Sequence, residues 1–346
     1  MSSREQMDHS LSRRRLFQAG GRVAVLAAAG SLPFVGAGTA RATVAPSPRF
    51  DFEGSGDNPI TRKSLHANWV MQSFAYDNVN RHVYFAQHNS QNTDPAHVGD
   101  LWITKTDLAG KQLGSMTVHN FGHGVQIGVE PYNGAVYLWT EWQDRNPPTS
   151  FGNRIGRFKF VNGAVLEKDS GSIQDRTPTL ANMHPQSANP QPAIDPSTDR
   201  LVVRFRDVNA DMRIVLFRMS DARAGRLGTG SRLAERALPT RAATWAEANP
   251  FQGFTAYGQY AYLLEGGVSD TSYLTAIDLN GVGQSVAQDR WPTSAGRSLP
   301  GREPQGMAIW LAATSGGAVQ PRLAFGFHSN TDGVRQASVF YKDSFL

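Results

Sequence analysis

Beyond residue 50 the apolar positions come in short runs, rich in β-branched and aromatic side chains and separated by clusters of Gly, Asn, Asp and Pro. Nothing in this stretch keeps the 3.6-residue period of an amphipathic helix, and the runs are strand-sized. Strands are therefore predicted over residues 83–86, 101–104, 135–139, 155–160, 201–205, 214–217, 260–264, 274–277 and 323–327, and the class is all-β.

The strands recur as a larger unit. Segments beginning at Gln72, His123, Gln191, Gln252 and Gln305 each read polar residue, small residue, apolar strand, tight turn, second strand. Their spacings are 51, 68, 61 and 53 residues, about 58 on average, and most carry a third strand such as 101–106 or 273–278. A sheet of three or four strands cannot cover both of its apolar faces, so such units pack radially as the blades of a β-propeller. Five blades are expected, with a β-sandwich or β-helix as the rival architectures. Ring closure is assigned to the strand at 337–341, pairing with residues 49–52 or lying beside the first blade.

In a propeller the first strand of each blade lines the central channel. The polar starts then gather Gln72, His123, Gln126, Gln191, Gln252, Glu303 and Gln305 at one mouth, with Trp69, Trp139, Trp245 and Tyr257 as nearby flat apolar faces. Amides that hold several hydroxyls beside aromatic rings suit sugars or polyols. The other reading is structural: glutamines that satisfy strand ends and channel waters and so tie blades together.

Composition narrows the chemistry. Among 346 residues there is no cysteine, which excludes disulfides, thiolate metal sites and a cysteine nucleophile. The formal net charge of +5 is concentrated at the N-terminus. There Ser12, Arg13, Arg14 and Arg15 precede Leu16-Phe17, an uncharged small and apolar stretch, and Ala40-Arg41-Ala42. Residues 1–42 thus have the three parts of a twin-arginine-type export signal, 43–49 form a flexible lead-in, and 50–346 form the propeller. Without the six arginines and two acids of the leader, 34 basic and 29 acidic residues become 28 and 27. No basic stripe is left for nucleic acid. No later segment reaches the ~18 apolar residues of a membrane span. The mature chain is expected outside the cell.

Several motifs carry a family resemblance: Phe121-Gly122-His123-Gly124-Val125-Gln126, Arg302-Glu303-Pro304-Gln305-Gly306, and the stretches 72–80, 99–104, 137–141, 251–258 and 340–342. Together they resemble the secreted actinobacterial proteins labelled teichoic acid biosynthesis protein C, whose propeller is similar to the platform of staphylococcal phage receptor-binding proteins. The resemblance covers nearly all of residues 50–346. It implies a propeller associated with wall glycopolymers. Gln305 stands where the family's Glu-Pro-Glu-Gly motif carries a second Glu, which removes a paired carboxylate there.

Candidate catalysis centres on Glu303 with Arg302, Glu130, His123 and Tyr257, an acid/base set for a glycoside hydrolase or a polysaccharide lyase. Against it, a Glu next to an Arg more often forms a structural ion pair. His119 and His123 have i,i+4 spacing, but the glycines around them forbid the helix that would aim both at one zinc. Asp207-Val208-Asn209-Ala210-Asp211 alternates oxygen donors as in a calcium loop, yet has no turning Gly and no bidentate Glu, and reads as a hairpin turn. Asn330 to Gly333 reads the same way. No phosphate-cradling loop, dinucleotide fingerprint or nucleophile elbow occurs. The expectation is a glycopolymer-binding propeller with no cofactor and no metal, and the alternative is an enzyme acting on polysaccharide at the same mouth.

Overall fold

Five antiparallel sheets stand around one axis in the computed structural model, which describes residues 44–54, 56–89, 94, 96–144, 151–239, 249–281 and 287–346. Blade 1 runs outward through Val70–Asp77, His82–His88, Leu101–Asp107 and Gln112–Val118, with Val165–Leu166 added in parallel at its edge. Blade 2 is Ile127–Tyr132, Ala135–Asp144, Gly152–Lys159 and Gln174–Asp175; blade 3 is Gln191–Asp195, Arg200–Arg206, Met212–Arg218 and Arg232–Ala237. Blade 4 is Phe251–Tyr257, Tyr260–Glu265, Ser272–Asp278 and Ala287–Thr293. Blade 5 is Glu303–Ala313, Val319–Thr331 and Val334–Lys342, completed by the N-terminal strand Gly56–Lys63. The first strand of each blade touches the first strands of its two neighbours, which closes the ring. Among the described residues the helical pieces are Met219–Arg223 and a 3-10 turn at Thr229–Ser231.

The core lies between blades, because each sheet buries both faces. In the second strand of blade 3, Leu201, Val203 and Phe205 pack toward blade 2 with Trp139 and Ile155, while Val202 packs toward blade 4 with Phe254 and Leu263. The third strand repeats the division, with Val215 and Phe217 on one side and Ile214 and Leu216 on the other. Two-residue periodicity with both faces apolar explains why these strands read as continuous hydrophobic runs.

Near the axis the blades approach so closely that side chains do not fit. Gly306 has φ of +79°, and a Cβ there would lie 2.6 Å from the Ser73 Cα. At Gly253 a Cβ would likewise lie 2.7 Å from the Gly306 Cα, so the glycines after Gln252 and Gln305 are a packing requirement of the ring.

Closure differs from the expectation in its N-terminal partner. The last strand pairs with Gly56–Lys63, in which Ile60 faces Val339 and Lys63 faces Ala337, while Phe50 makes only an isolated bridge to Phe345. An edge strand has one neighbour and one buried side chain, here Ile60. Its pattern is polar and it carries Pro59, a residue that edge strands tolerate, so no alternation marks it in the sequence. Preceding it, Val44 is buried against blades 3 and 4, and its backbone exchanges two hydrogen bonds with the Asn280 side chain, at 2.7 and 2.8 Å. Residues 1–43 lie outside the described residues.

Candidate functional site at the channel mouth

The first strands of all five blades run away from the same face, so their starts converge there. A cavity of about 490 Å³ opens at that face, lined by Gln72, Gln191, Gln252, Gln305, His123 and Glu303 among others. The four glutamines come from four different blades and are all mostly buried. Gln191 Oε1 accepts from Arg204 Nη1 at 2.9 Å, and Gln252 Nε2 donates to the Gly266 carbonyl at 3.0 Å and to Glu303 Oε1 at 3.4 Å. The Gln305 Oε1 is buried with no partner among the described residues.

The sequence reading missed Arg204 and Arg206, which bring positive charge into the same cavity. Both sit on the face of their strand that carries Val202 and so look toward blade 4, where the Arg204 guanidinium lies 3.6 Å from the centre of the Phe251 ring. Arginines at alternating positions in an otherwise apolar strand were the available signal. Phe151, Asn189 and Met212 also line the wall.

His123 reaches the cavity on the loop that leads from the outer edge of blade 1 to the inner strand of blade 2. Its ring stacks on Phe151 with centroids 5.0 Å apart and lies 4.6 Å from His88. Burial, reinforced by His88, pushes its pKa down to about 3, so the ring is neutral at physiological pH. The loop is anchored from below by Glu141, whose carboxylate accepts from the backbone N–H of Gly124 at 2.6 Å and of Gly152 at 2.7 Å. Burial pushes Glu141 up to about 7 despite those bonds. Burial also raises Glu303 above the usual carboxylate range, partly offset by Gln305 and Gln252.

The remaining expected residues lie elsewhere. Gln126 points into the channel wall, donating to the Met307 carbonyl at 3.1 Å and accepting from the Phe254 N–H at 3.3 Å, and so ties three blades together. Glu130 is buried between blades 2 and 3, where it accepts from Trp139 Nε1 at 2.8 Å and from Arg157 Nε at 2.7 Å and pairs with Arg223. Trp139 is fully buried in that interface and offers no exposed face. Trp69 is half-buried against Trp102, with ring centroids 6.0 Å apart. Arg302 is spent on the carbonyls of Ala295 at 2.9 Å, Asp270 at 3.0 Å and Thr293 at 3.4 Å, and burial lowers its pKa to about 10. Tyr257 ends the strand Phe251–Tyr257, about 17 Å from Gln252 at a strand's rise per residue, and packs on Phe50 and Phe345. Trp245 lies outside the described residues. Of the five residues considered for catalysis, the cavity therefore gathers His123 and Glu303.

The other motifs resolve as local structure. Asp207 Oδ1 accepts from the N–H groups of Asn209 and Asp211 at 2.9 and 3.0 Å and closes a hairpin turn. His119 turns away from His123 toward His97 and Asp100.

The fold and the cavity together define a five-bladed propeller with a polar mouth on one face. The chain belongs to the family described as the phage 5-bladed β-propeller receptor-binding platform domain, which matches residues 70–313. It is 26% identical over 305 residues to the "Putative major teichoic acid biosynthesis protein C" of Bacillus subtilis (strain 168), an alignment covering 86% of this chain and 64% of that protein. Its fold is similar to the tail fiber of Staphylococcus aureus phage P68, with a TM-score of 0.66 at 20% identity, over 85% of this chain and 54% of the tail fiber chain. The chain thus spans less than two thirds of either protein's length.

Proposed function

We propose that the protein is exported and binds an anionic, hydroxyl-rich cell-wall glycopolymer of the teichoic-acid type at the channel mouth. The carrying observation is the convergence of Gln72, Gln191, Gln252 and Gln305 from four blades on one cavity that also holds Arg204 and Arg206. Glutamine amides offer both donors and acceptors to polyol hydroxyls, and arginine forks match phosphate oxygens. The family's receptor-binding role and the teichoic-acid name of the Bacillus relative support this reading, as does the export signal expected over residues 1–42.

The test is binding of the protein to purified wall teichoic acid and to a neutral glycan, measured by calorimetry at two salt concentrations. Teichoic acid is expected to bind more tightly and to weaken with salt. Arg204→Ala with Arg206→Ala should lose at least tenfold in affinity and most of the salt dependence, while Gln72→Ala with Gln252→Ala should weaken binding at both salts. Wild-type affinity in both double variants sinks the assignment to this mouth.

A further inference from the structure

On the same face as the mouth, at the outer end of blade 1, two histidines flank a buried carboxylate. Asp100 is 5% exposed. Its Oδ2 lies 2.9 Å from His97 Nδ1 and 3.6 Å from His119 Nε2, and one ligand atom from each of the three residues falls within 4.8 Å of the others. Its second oxygen is fixed by the Asn120 N–H at 3.0 Å. His119 is oriented from behind, because its Nδ1 lies 2.9 Å from Glu167 Oε1. A histidine whose far nitrogen donates to a carboxylate presents its near nitrogen as a lone pair, which is how protein metal ligands are aimed and made more basic.

From this arrangement we propose that His97, Asp100 and His119 form a binding site for one first-row divalent cation of the zinc type, with Glu167 as the positioning residue. Two imidazoles and a carboxylate suit zinc and its neighbours. Tetrahedral ligands at about 2.05 Å from a metal stand about 3.3 Å apart, close to the 2.9 and 3.6 Å from Asp100 Oδ2 to the two ring nitrogens, and the third pair lies within 4.8 Å. His97 is 45% exposed, which leaves solvent access for the remaining coordination position.

The site also has a mechanical consequence. Asp100 and His97 lie on the segment before the third strand of blade 1, and His119 lies just after the fourth. The Gly99 carbonyl already accepts from the Phe121 and Gly122 N–H groups at 2.8 and 3.0 Å. A metal there clamps these two segments, and His123 follows four residues after His119 on the same loop. The pattern is invisible along the chain because His97 and His119 belong to opposite ends of a two-strand excursion, and the histidine nearest to His119 in sequence is His123.

The experiment uses the full chain after chelation and dialysis. Titration with zinc chloride by calorimetry, and with cobalt(II) followed by its visible d–d absorption, should give one ion per chain, and zinc should raise the melting temperature reversibly with chelator. His97→Ala, on an exposed side chain, should lose at least tenfold in affinity while circular dichroism stays unchanged. Glu167→Gln should lose about tenfold. Absence of wild-type binding, or an unchanged stoichiometry and affinity in both His97→Ala and His119→Gln, overturns the site. None of these readouts involves the glycopolymer, so they stand or fall independently of the mouth.

Discussion

At the scale of single residues, Glu130 shows how misleading a carboxylate can be outside its environment. In the sequence it is a candidate acid near a candidate mouth. In the structure it is a buried anion shared by two arginines and an indole, joining blade 2 to blade 3. Removing one partner of such a group leaves the others uncompensated in a low-dielectric interface, at a cost of about 3–5 kcal/mol. Glu130→Ala is therefore expected to lower the urea midpoint sharply while the folded fraction keeps its affinity for the glycopolymer. Full stability with lost binding would place Glu130 at the ligand instead. Gln126 and Arg302 follow the same logic, since their polar atoms are engaged by backbone carbonyls and, at Gln126, by an N–H as well, in place of an open cavity.

At the scale of elements, the closing strand carries more weight than its composition suggests. Gly56–Lys63 contributes little buried surface beyond Ile60, but it pairs with residues 337–342 of the last strand. Without it, blade 5 would expose an unpaired edge, and the two ends of the propeller sequence would keep only the bridge and backbone bonds between residues 49–51 and 344–346 among the described residues. Chains beginning at Arg49 and at Leu65 differ by the closing strand together with the buried Phe50 and Phe52 that precede it. The first is expected to fold with the same melting temperature as the chain beginning at Thr43, less the small contribution of Val44. The second is expected to aggregate or to melt at least several degrees lower by circular dichroism and light scattering. Equal melting of the two shortened chains would show that the ring closes through the inner strands alone. The inner strands themselves were readable: their repeated polar start reflects a polar mouth, and at Gly253 and Gly306 it is followed by a backbone approach that only glycine permits. The outer strands were less so, because an edge needs only one buried face and tolerates polar residues.

At the scale of the whole molecule, the mouth couples folding to pH. His123 is held down at about 3 by burial and His88, and His328 at about 4 by burial and Arg335, both below the usual 6.5. Between those values the unfolded chain binds protons that the native chain refuses, so the stability these residues contribute is complete above pH 6.5 and is lost as pH falls toward 4. Glu141, held up at about 7, acts oppositely: the native chain keeps a proton that the unfolded chain releases above 4.5, and stability declines as pH rises through 7. His123, His328 and His82, whose pKa burial also lowers, set against the raised Glu141 and Glu303, predict a urea midpoint that climbs from pH 4.5 to 6.5 and levels near 7. His328→Asn should make the climb shallower, and Glu141→Gln should make it steeper. Slopes unchanged in both variants would refute this account of the buried groups.

The chain by itself determined the strand class, the five-fold repeat and the face on which Gln72, Gln191, Gln252, Gln305, His123 and Glu303 meet, because each blade must satisfy the same local rules of alternation, turn and close approach. Only the tertiary structure decided which charged groups reach that face and which are consumed inside. Arg204 and Arg206 arrive there because blade 4 stands opposite their strand, Glu130 and Arg302 are withdrawn because neighbouring blades and loops supply their partners, and His97 finds His119 across a hairpin. Contacts between side chains on different blades depend on how the sheets are stacked around the axis, and no periodicity along one strand encodes which side chain of the next sheet will stand across from it.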